Sequence, residues 1–217
     1  MKKIICLAAL LVLVAAGFWT FYFNQQSQLP TVVIDGVTWT QVLHWSFKDG
    51  SYPDAWGWGQ QEILDGELEL RDPNGTESVY FFPFTHDQDF ILETKVKFIR
   101  GEHLYAAAEL LTRYSSNLKH ESGMALLPEF DQAIVRHTVD KIDHIYMAFN
   151  INMSIDYGEW YVMRFMIYNG TIKAFVNDTQ VYVSDDSYPV GEYREPHLAV
   201  IYATARFEYV KIFGFPQ

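Results

Sequence analysis

The stretch Phe90-Ile-Leu-Glu-Thr-Lys-Val-Lys-Phe98 decides the class of fold. Its hydrophobic side chains, at Phe90, Leu92, Val96 and Phe98, alternate with polar or charged ones. Successive side chains of a β-strand point to opposite faces of the sheet, so a period of two predicts a half-buried strand.

Strand signals continue on both sides of this stretch, from Thr31 to the end of the chain. Runs of Val, Ile, Tyr, Phe and Thr are separated by Gly, Asn, Asp and Pro, and no long stretch has helical periodicity. Asn169-Gly170, between two such runs, predicts the tight turn of a hairpin. The pattern as a whole predicts an all-β, antiparallel, two-sheet jelly-roll sandwich. Residues 114–155 are the least regular part, and we expect long loops there.

An apolar segment precedes this domain. Lys2 and Lys3 are followed by an apolar run from Ile4 to Phe23, about twenty residues, which is the length of a helix that crosses a bilayer. The lysines place the N-terminus in the cytoplasm and the rest of the chain outside. The alternative is a cleaved signal peptide with small residues at Val14–Ala16, which would give a secreted protein.

We therefore predict a transmembrane anchor or signal peptide at residues 1–23, a polar linker at 24–30 and one folded domain at 31–217. Both readings of the first segment export the domain. In the anchored reading, the chain crosses the cell membrane once and the C-terminal domain lies outside the cytoplasm. A domain of about 185 residues is large enough to bury a core of its own.

The exported part is strongly acidic. The whole chain has a net charge of −11, and Lys2 and Lys3 are two of its 16 basic residues, against 27 acidic ones. Because no cluster of Lys or Arg occurs, this charge excludes a basic surface for nucleic acid. The single cysteine, Cys6, lies in the apolar run, so the exported domain forms no internal disulfide and depends on its core.

Several short motifs occur in a recognisable order. They are WSFKDG at 45–50, WGW at 56–58, DGEL at 65–68, DFILETKV at 89–96, GEWY at 158–161, NG at 169–170 and VND at 176–178. In this order they resemble the concanavalin A-like lectin/glucanase superfamily, in particular its laminin-G-like and 3-keto-disaccharide hydrolase-like jelly rolls. The resemblance covers about residues 42–213 and implies a concave sheet that often binds sugars or proteins, although a fold does not determine an activity.

Aromatic and acidic residues near the second motif are the predicted ligand-binding residues. They are Tyr52, Asp54, Trp56 and Trp58, in a Gly-rich stretch. The apolar faces of sugar rings stack on Trp and Tyr, and sugar hydroxyls hydrogen-bond to carboxylates. The alternative is that the two tryptophans pack within a loop.

Glucanases of this superfamily use two carboxylates on one strand of the concave face. Glu67 and Glu69 alternate in this way, roughly 6.5 Å apart on a strand, so that one can act as nucleophile and the other as acid. The family pattern is Glu-x-Asp-x-Glu, whereas this chain has Asp-x-Glu-x-Glu at residues 65–69, and its Asp65-Gly66 dipeptide is typical of a turn. The alternative is a hairpin with solvated glutamates. Glu93 and Glu109 are weaker candidates on other strands.

No cofactor is assigned from the sequence. Laminin-G-like relatives often bind calcium, and Asp49, Asp185 and Asp186 are oxygen-rich candidates for calcium ligands, but no loop matches an established calcium pattern. Histidines show no spacing typical of a zinc site.

Three functional hypotheses follow. The first is a membrane-anchored module outside the cytoplasm that binds a carbohydrate or an extracellular protein, favoured because no catalytic motif is evident. The second is a glycoside hydrolase that uses carboxylates of the concave face. The third is a structural protein of the cell envelope.

Overall fold

The computed structural model describes residues 29–50, 56–86, 89–114, 121–139, 142–150, 153–184 and 193–214. The apolar run at the N-terminus lies outside the described residues, as do Tyr52, Asp54, Asp185 and Asp186. Within the described ranges, no helix combines the length and apolar character needed to cross a membrane.

Most of the described chain forms β-strands, numbered here in chain order. They are β1 (Thr31–Ile34), β2 (Val37–Ser46), β3 (Trp56–Trp58), β4 (Gln60–Leu64), β5 (Glu67–Arg71), β6 (Ser78–Phe81), β7 (Thr85–His86), β8 (Phe90–Gly101), β9 (Ala107–Tyr114), β10 (Glu121–Leu127), β11 (Gln132–Val139), β12 (Ile142–Asn150), β13 (Trp160–Tyr168), β14 (Thr171–Val176), β15 (Thr179–Val183), β16 (Tyr193–Ile201) and β17 (Ala203–Gly214). One turn of 3-10 helix, Pro128–Phe130, follows β10.

The strands form two antiparallel sheets. Sheet A has the order β1-β2-β17-β8-β13-β14-β15, with β5 also paired to β17 and β4 paired to β5. Sheet B has the order β12-β11-β10-β9-β16-β6-β3, with β7 paired to β16. The predicted antiparallel two-sheet sandwich is therefore confirmed.

The main core lies between the sheets and is built from the alternation seen in the sequence. Phe90, Leu92, Val96 and Phe98 of β8 are all buried in it. Sheet B contributes inward-facing side chains to the same cluster, among them Leu110, Met124, Leu126, Leu198 and Val200. Each fully buried aliphatic or aromatic side chain stabilises the fold by about 1.5–3 kcal/mol.

The prediction of long loops in residues 114–155 is wrong. The described part of this region forms β10, β11 and β12, which make up one side of sheet B. Gly123 concealed the strand in the sequence, because glycine normally indicates a turn. A Cβ atom at Gly123 would lie 2.2 Å from the carbonyl oxygen of Leu110, so the close approach of β9 and β10 requires glycine here.

Side chains that point away from the main core form the outer face of sheet B. The register places Leu111, His197, Phe81 and Trp56 in one row across β9, β16, β6 and β3. The next row contains Glu109, Ala199, Val79 and Trp58. Apart from the two tryptophans these side chains are buried, so this face is a packed surface that includes polar groups.

Candidate ligand-binding face

Trp56 and Trp58 form an exposed aromatic surface at the edge of sheet B. They lie two residues apart on β3, so both side chains point to the outer face, where they are 47% and 43% exposed. The Trp56 ring stacks on Phe81 with 4.2 Å between centroids and 10° between planes, and the Trp58 ring lies 5.2 Å from Phe81. The three rings are therefore held by one another in a fixed arrangement.

The glycine between the tryptophans is required by strand pairing. A Cβ atom at Gly57 would lie only 1.9 Å from the carbonyl oxygen of Val79 on β6. Any larger residue would push β3 away from β6. The WGW motif thus combines two exposed rings with a backbone position that holds them against the sheet.

Arg113 extends from β9 over the same aromatic group. Its guanidinium carbon lies 4.1 Å from the Phe81 ring centroid and 5.6 Å from that of Trp56. Nη1 donates a hydrogen bond to Glu195 Oε2 at 2.6 Å, and Nε lies 3.5 Å from Glu121 Oε1. Nε is buried and has no hydrogen-bond partner among the described residues, which is rare for a charged side chain.

His197 is buried beneath this arginine and is neutral. Burial lowers the pKa of His197 to about 4, although the Glu121 carboxylate acts in the opposite direction. Its Nδ1 lies 3.1 Å from the carbonyl oxygen of Glu195, which can only accept, so Nδ1 carries the proton. Nε2 is therefore an acceptor, and it lies 3.9 Å from Glu121 Oε1.

Two carboxyl groups border the face, one ion-paired to an arginine and one with a raised pKa. Glu109 is held by Arg136, whose Nη1 lies 3.3 and 3.1 Å from its two carboxylate oxygens. Burial, together with the charges of Glu109 and Glu121, raises the pKa of Glu77 to about 7. At neutral pH a substantial fraction of Glu77 is therefore protonated.

The backbone is strained at two of these glutamates. Glu77 has φ of +67° and Glu195 has φ of +47°, in the left-handed region that residues other than Gly, Asn and Asp rarely adopt. Strain of this kind persists where the surrounding structure enforces it, and such positions cluster at functional sites.

Asp72 enforces the conformation of the loop that carries Glu77. Its buried carboxylate accepts hydrogen bonds from the backbone N–H groups of Asn74, Thr76, Glu77 and Tyr202. Burial alone would raise the pKa of Asp72, but these four donors outweigh burial and lower it. The carboxylate thus stays ionised and connects the loop to the turn between β16 and β17.

Of the predicted site residues, the structure brings Trp56, Trp58 and Glu109 onto this face. Glu67 and Glu69 lie on β5, on the outer face of sheet A, because Leu68 and Leu70 of the same strand enter the main core.

Glu69 and Glu67 have basic partners on sheet A. Arg206 Nε donates to Glu69 at 2.7 Å, Arg71 donates to the other oxygen of Glu69, and Glu67 lies 3.3 Å from Arg206 Nη1. Burial raises the pKa of Glu69, but the hydrogen bonds from Arg206 and Arg71 outweigh it and the pKa is lowered. Glu69 also lines a polar pocket of about 340 Å³ with Gly59, Gln60, Gln61, Glu62 and Arg71. Catalysis by this pair stays a prediction.

Of the remaining predicted residues, Glu93 also lies on the outer face of sheet A but has its own basic partners. Glu93, on β8, accepts two hydrogen bonds from Arg164 at 2.9 and 2.6 Å and one from the Tyr209 hydroxyl at 3.0 Å. Asp49 follows β2, and among the described residues no group of three His, Cys, Asp or Glu side chains is placed to hold a metal ion. Calcium binding stays a prediction, since Asp185 and Asp186 lie outside the described residues.

Sequence reasoning missed Phe81, Arg113, Glu121, His197 and Glu77. One signal was present in the segment Ala-Ala-Glu-Leu-Leu-Thr-Arg-Tyr of β9, where charged residues at 109 and 113 interrupt an apolar strand. Charged side chains are rarely fully buried unless paired, so their alternation within such a strand indicates a polar group on one face.

Solved structures share this architecture. A carbohydrate-binding module, CBM66, from Bacillus subtilis matches with a TM-score of 0.56 and 17% identity over 78% of this chain and 91% of that chain. The carbohydrate recognition domain of Emp47p matches with a TM-score of 0.62 and 10% identity, covering 79% of this chain and 94% of its own. An endo-β-1,3-glucanase from Pyrococcus furiosus has a TM-score of 0.62 and 15% identity, with coverages of 86% and 98%. No protein-family model and no curated protein sequence matches the chain significantly.

Proposed function

Because this chain has the concanavalin A-like jelly-roll fold, we propose that it binds glycans through the outer face of sheet B. Trp56 and Trp58 provide the exposed apolar surface against which a sugar ring stacks, and the buried Phe81 ring supports them from beneath. Glu121 and Glu195 contact Arg113, which lies over the Phe81 ring, and Arg136 lies farther along the same face on Glu109; all three are partly exposed hydrogen-bonding groups.

The observation that carries the proposal is the contact between Arg113 and this aromatic surface. A buried guanidinium, whose Nε has no hydrogen-bond partner within the described part of the chain, lies directly against Phe81 and 5.6 Å from the ring of the exposed Trp56. Small-molecule sites combine apolar walls with a few convergent polar groups, and a sugar ring needs both. The ring contacts hold the tryptophans in place, which reduces the entropy lost on binding.

The charges on this face favour a neutral glycan. Among the described side chains of this face, four carboxyl groups, those of Glu77, Glu109, Glu121 and Glu195, stand against two arginines, Arg113 and Arg136. The whole chain also has a net charge of −11. An acidic polysaccharide would be repelled, so neutral β-glucans are the first probes to use.

We also propose that the module acts outside the cytoplasm, attached through its N-terminal apolar run. The run from Ile4 to Phe23 and the preceding lysines support this placement. Fractionation of cells, followed by protease treatment of intact cells, tests it. Recovery of the full-length chain in the soluble cytoplasm would contradict the proposal.

Affinity electrophoresis tests glycan binding directly. The full-length chain in mild detergent is run through native gels that contain β-1,3-glucan, β-1,3-1,4-glucan or an acidic polysaccharide. We expect a neutral glucan to retard the chain, and Trp56→Ala and Trp58→Ala to weaken this effect by at least about tenfold, as expected when a buried stacking contact of about 1.4 kcal/mol is lost.

Val33→Ala is the matched control, because Val33 is a 64% exposed apolar residue on β1 of the other sheet. If both tryptophan variants bind as the wild type does, the outer face of sheet B is not the site. If no neutral glycan retards the wild type, glycan binding itself is wrong.

A second candidate function, glycoside cleavage, is favoured by Glu77 and Glu109. A carboxyl group with its pKa raised to about 7 can act as the acid, and a carboxylate ion-paired to Arg136 can act as its ionised partner. Release of reducing ends from β-1,3-glucan measures cleavage. Glu77→Gln and Glu109→Gln should abolish it if this pair is catalytic, whereas loss of cleavage in Glu67→Gln and Glu69→Gln would assign it to the pair on sheet A.

A further inference from the structure

A second aromatic surface lies at one end of the sandwich. The rings of Tyr202, His103, Tyr105 and Phe130 follow one another with centroid distances of 4.8, 5.3 and 6.0 Å, and each ring is tilted by 31–35° from the next. We call these four residues the ring row. Tyr105 is 61% exposed, Phe130 is 40% exposed, and the neighbouring Leu104 is 60% exposed.

Three separate connections bring the ring row together. Tyr202 forms the turn between β16 and β17, His103 and Tyr105 belong to the loop between β8 and β9, and Phe130 ends the 3-10 helix after β10. Contiguous exposed apolar surface of this kind marks an interaction site more often than scattered exposed residues do.

The backbone holds the ring row in position. Tyr202 has φ of +50°, a strained value for a bulky residue, and its N–H donates to Asp72 Oδ2 at 3.0 Å. Its ring packs so closely on Gly75 that a Cβ atom there would lie 2.0 Å from it. In the next loop the Ala106 N–H donates to the His103 carbonyl oxygen at 2.9 Å.

The ring row is connected to the outer face of sheet B. Asp72 binds the N–H groups of both Glu77 and Tyr202, so one carboxylate fixes an edge of the face and the first ring of the row. From Tyr105 the chain enters β9, where Glu109 and Arg113 point to the same face. A ligand that reaches both surfaces must follow β9 from Arg113 toward Ala107, roughly 20 Å at the usual rise per residue.

Position and chemistry indicate what occupies the ring row. Residue 30 lies at the far end of β17, where Gly214 pairs with Thr40 and the Pro30 carbonyl accepts from Gln41. The twelve residues of β17 separate it from Tyr202 by roughly 35–40 Å at the usual rise per residue. In a chain anchored through its N-terminus, the ring row therefore lies at the end of β17 that is remote from residue 30.

The polar groups around the ring row match a neutral, hydroxyl-rich ligand. Tyr hydroxyls and the carboxylates of Glu129 and Glu102 lie at its margin, and Arg100, the nearest basic residue in sequence, is already ion-paired to Glu102 at 2.6 Å. The exposed parts of Tyr105 and Phe130, with these hydrogen-bonding groups beside them, suit a sugar ligand. An anionic partner would meet unfavourable charge.

We propose that the ring row is a second contact surface for the same glycan, so that the protein recognises an extended polysaccharide chain and not a single sugar or chain end. This inference rests on glycan binding by the outer face of sheet B. It implies that affinity rises with chain length until the ligand reaches both surfaces.

A length series tests the inference with the full-length chain in mild detergent. Calorimetry compares the disaccharide, trisaccharide and longer oligosaccharides of β-1,3-glucan, and gel retardation measures the polymer. Tyr105→Ala and Phe130→Ala should weaken polymer binding by about tenfold, the effect of losing one well-made stacking contact, and leave disaccharide binding unchanged. Trp56→Ala should weaken both, and Val33→Ala neither. Unchanged melting temperatures check that the exposed substitutions leave the fold intact.

Three results would overturn the ring-row proposal. If Trp56→Ala loses binding while Tyr105→Ala and Phe130→Ala bind polymer normally, the ring row fails and glycan binding by sheet B stands. If Tyr105→Ala binds the polymer normally but no longer co-purifies with a protein that the wild type retains, the ring row binds a protein and not a glycan. If the wild type binds no glycan of any length, the proposed function and this inference fail together.

Discussion

Asp72 Oδ2 lies 3.0 Å from the backbone nitrogen of Tyr202, which is 130 residues later in the sequence. The same carboxylate accepts three further N–H groups from residues 74, 76 and 77. One buried side chain therefore joins the loop before β6 to the turn before β17, and both candidate surfaces depend on it.

Replacing Asp72 should therefore destabilise the fold. Asp72→Ala leaves four N–H groups without their acceptor, and we expect the free energy of unfolding to fall by about 2–4 kcal/mol. Urea denaturation of the full-length chain in detergent, followed by tryptophan fluorescence, measures this. Glu159→Ala, at an exposed residue that precedes β13, is the control for loss of a carboxylate. A change below that of the control would show that the loop does not depend on Asp72.

The same residue predicts an acid-dependent loss of stability. The pKa of Asp72 is lowered from its ordinary value of 3.8, so the folded state binds a proton less readily than the unfolded state. Its contribution is complete above about pH 4 and is lost as the pH falls through the lower, folded-state pKa. Melting temperatures of wild type and Asp72→Asn should thus converge below pH 4. A constant difference down to pH 2 would contradict this.

Strand periodicity made the sandwich predictable, and strand pairing made the site difficult to predict. The alternation in residues 90–98 identified the core face of β8 because burial acts on every second side chain. Gly123 concealed β10, since its role depends on the distance to a neighbouring strand. The register between strands depends on the tertiary structure. No local sequence pattern therefore indicated that residues 111, 197, 81 and 56 form one row across sheet B.

The alternation of Glu67 and Glu69 illustrates the same limit. The sequence correctly indicated that the two side chains share a face of one strand, with Leu68 opposite. It carried no information about which sheet receives that strand or which basic residues lie alongside. The tryptophans of β3 were predictable as exposed ligand-binding candidates, whereas the arginine and histidine beside them come from β9 and β16.

Gly57→Ala should impair ligand binding without removing any aromatic ring. The added methyl group overlaps the Val79 carbonyl oxygen, so β3 must shift from β6. We expect a loss of about 1–3 kcal/mol in stability and weaker binding of neutral glucan, because the tryptophans lose their contact with Phe81. Near-UV circular dichroism should report altered tryptophan packing. Unchanged spectra and binding would show that the strand tolerates the methyl group.

Arg113→Lys should separate the role of the planar guanidinium from that of its charge. A lysine keeps one positive charge near Glu121 and Glu195. It lacks the planar guanidinium that contacts Phe81, and with it the Nε donor. We expect glucan affinity to fall by about tenfold with a smaller change in stability than for Arg113→Ala. Arg100→Lys, at a 63% exposed side chain, is the matched control. Equal affinity of Arg113→Lys and wild type would show that charge alone suffices.

Glu77 should give the folded chain a pH dependence around neutrality. Burial and the neighbouring carboxylates raise the pKa of Glu77 from 4.5 to about 7, so between these values the folded state holds a proton that the unfolded state has released. Stability therefore falls as the pH rises across this range, by about 3 kcal/mol in total. Glu77→Gln does not titrate, so its melting temperature should lack this fall, while Glu129→Gln, an exposed control, should retain it. Parallel profiles for wild type and Glu77→Gln from pH 4.5 to 8 would show that the Glu77 carboxyl is not held in the protonated form, and would also remove the acid on which the cleavage hypothesis depends.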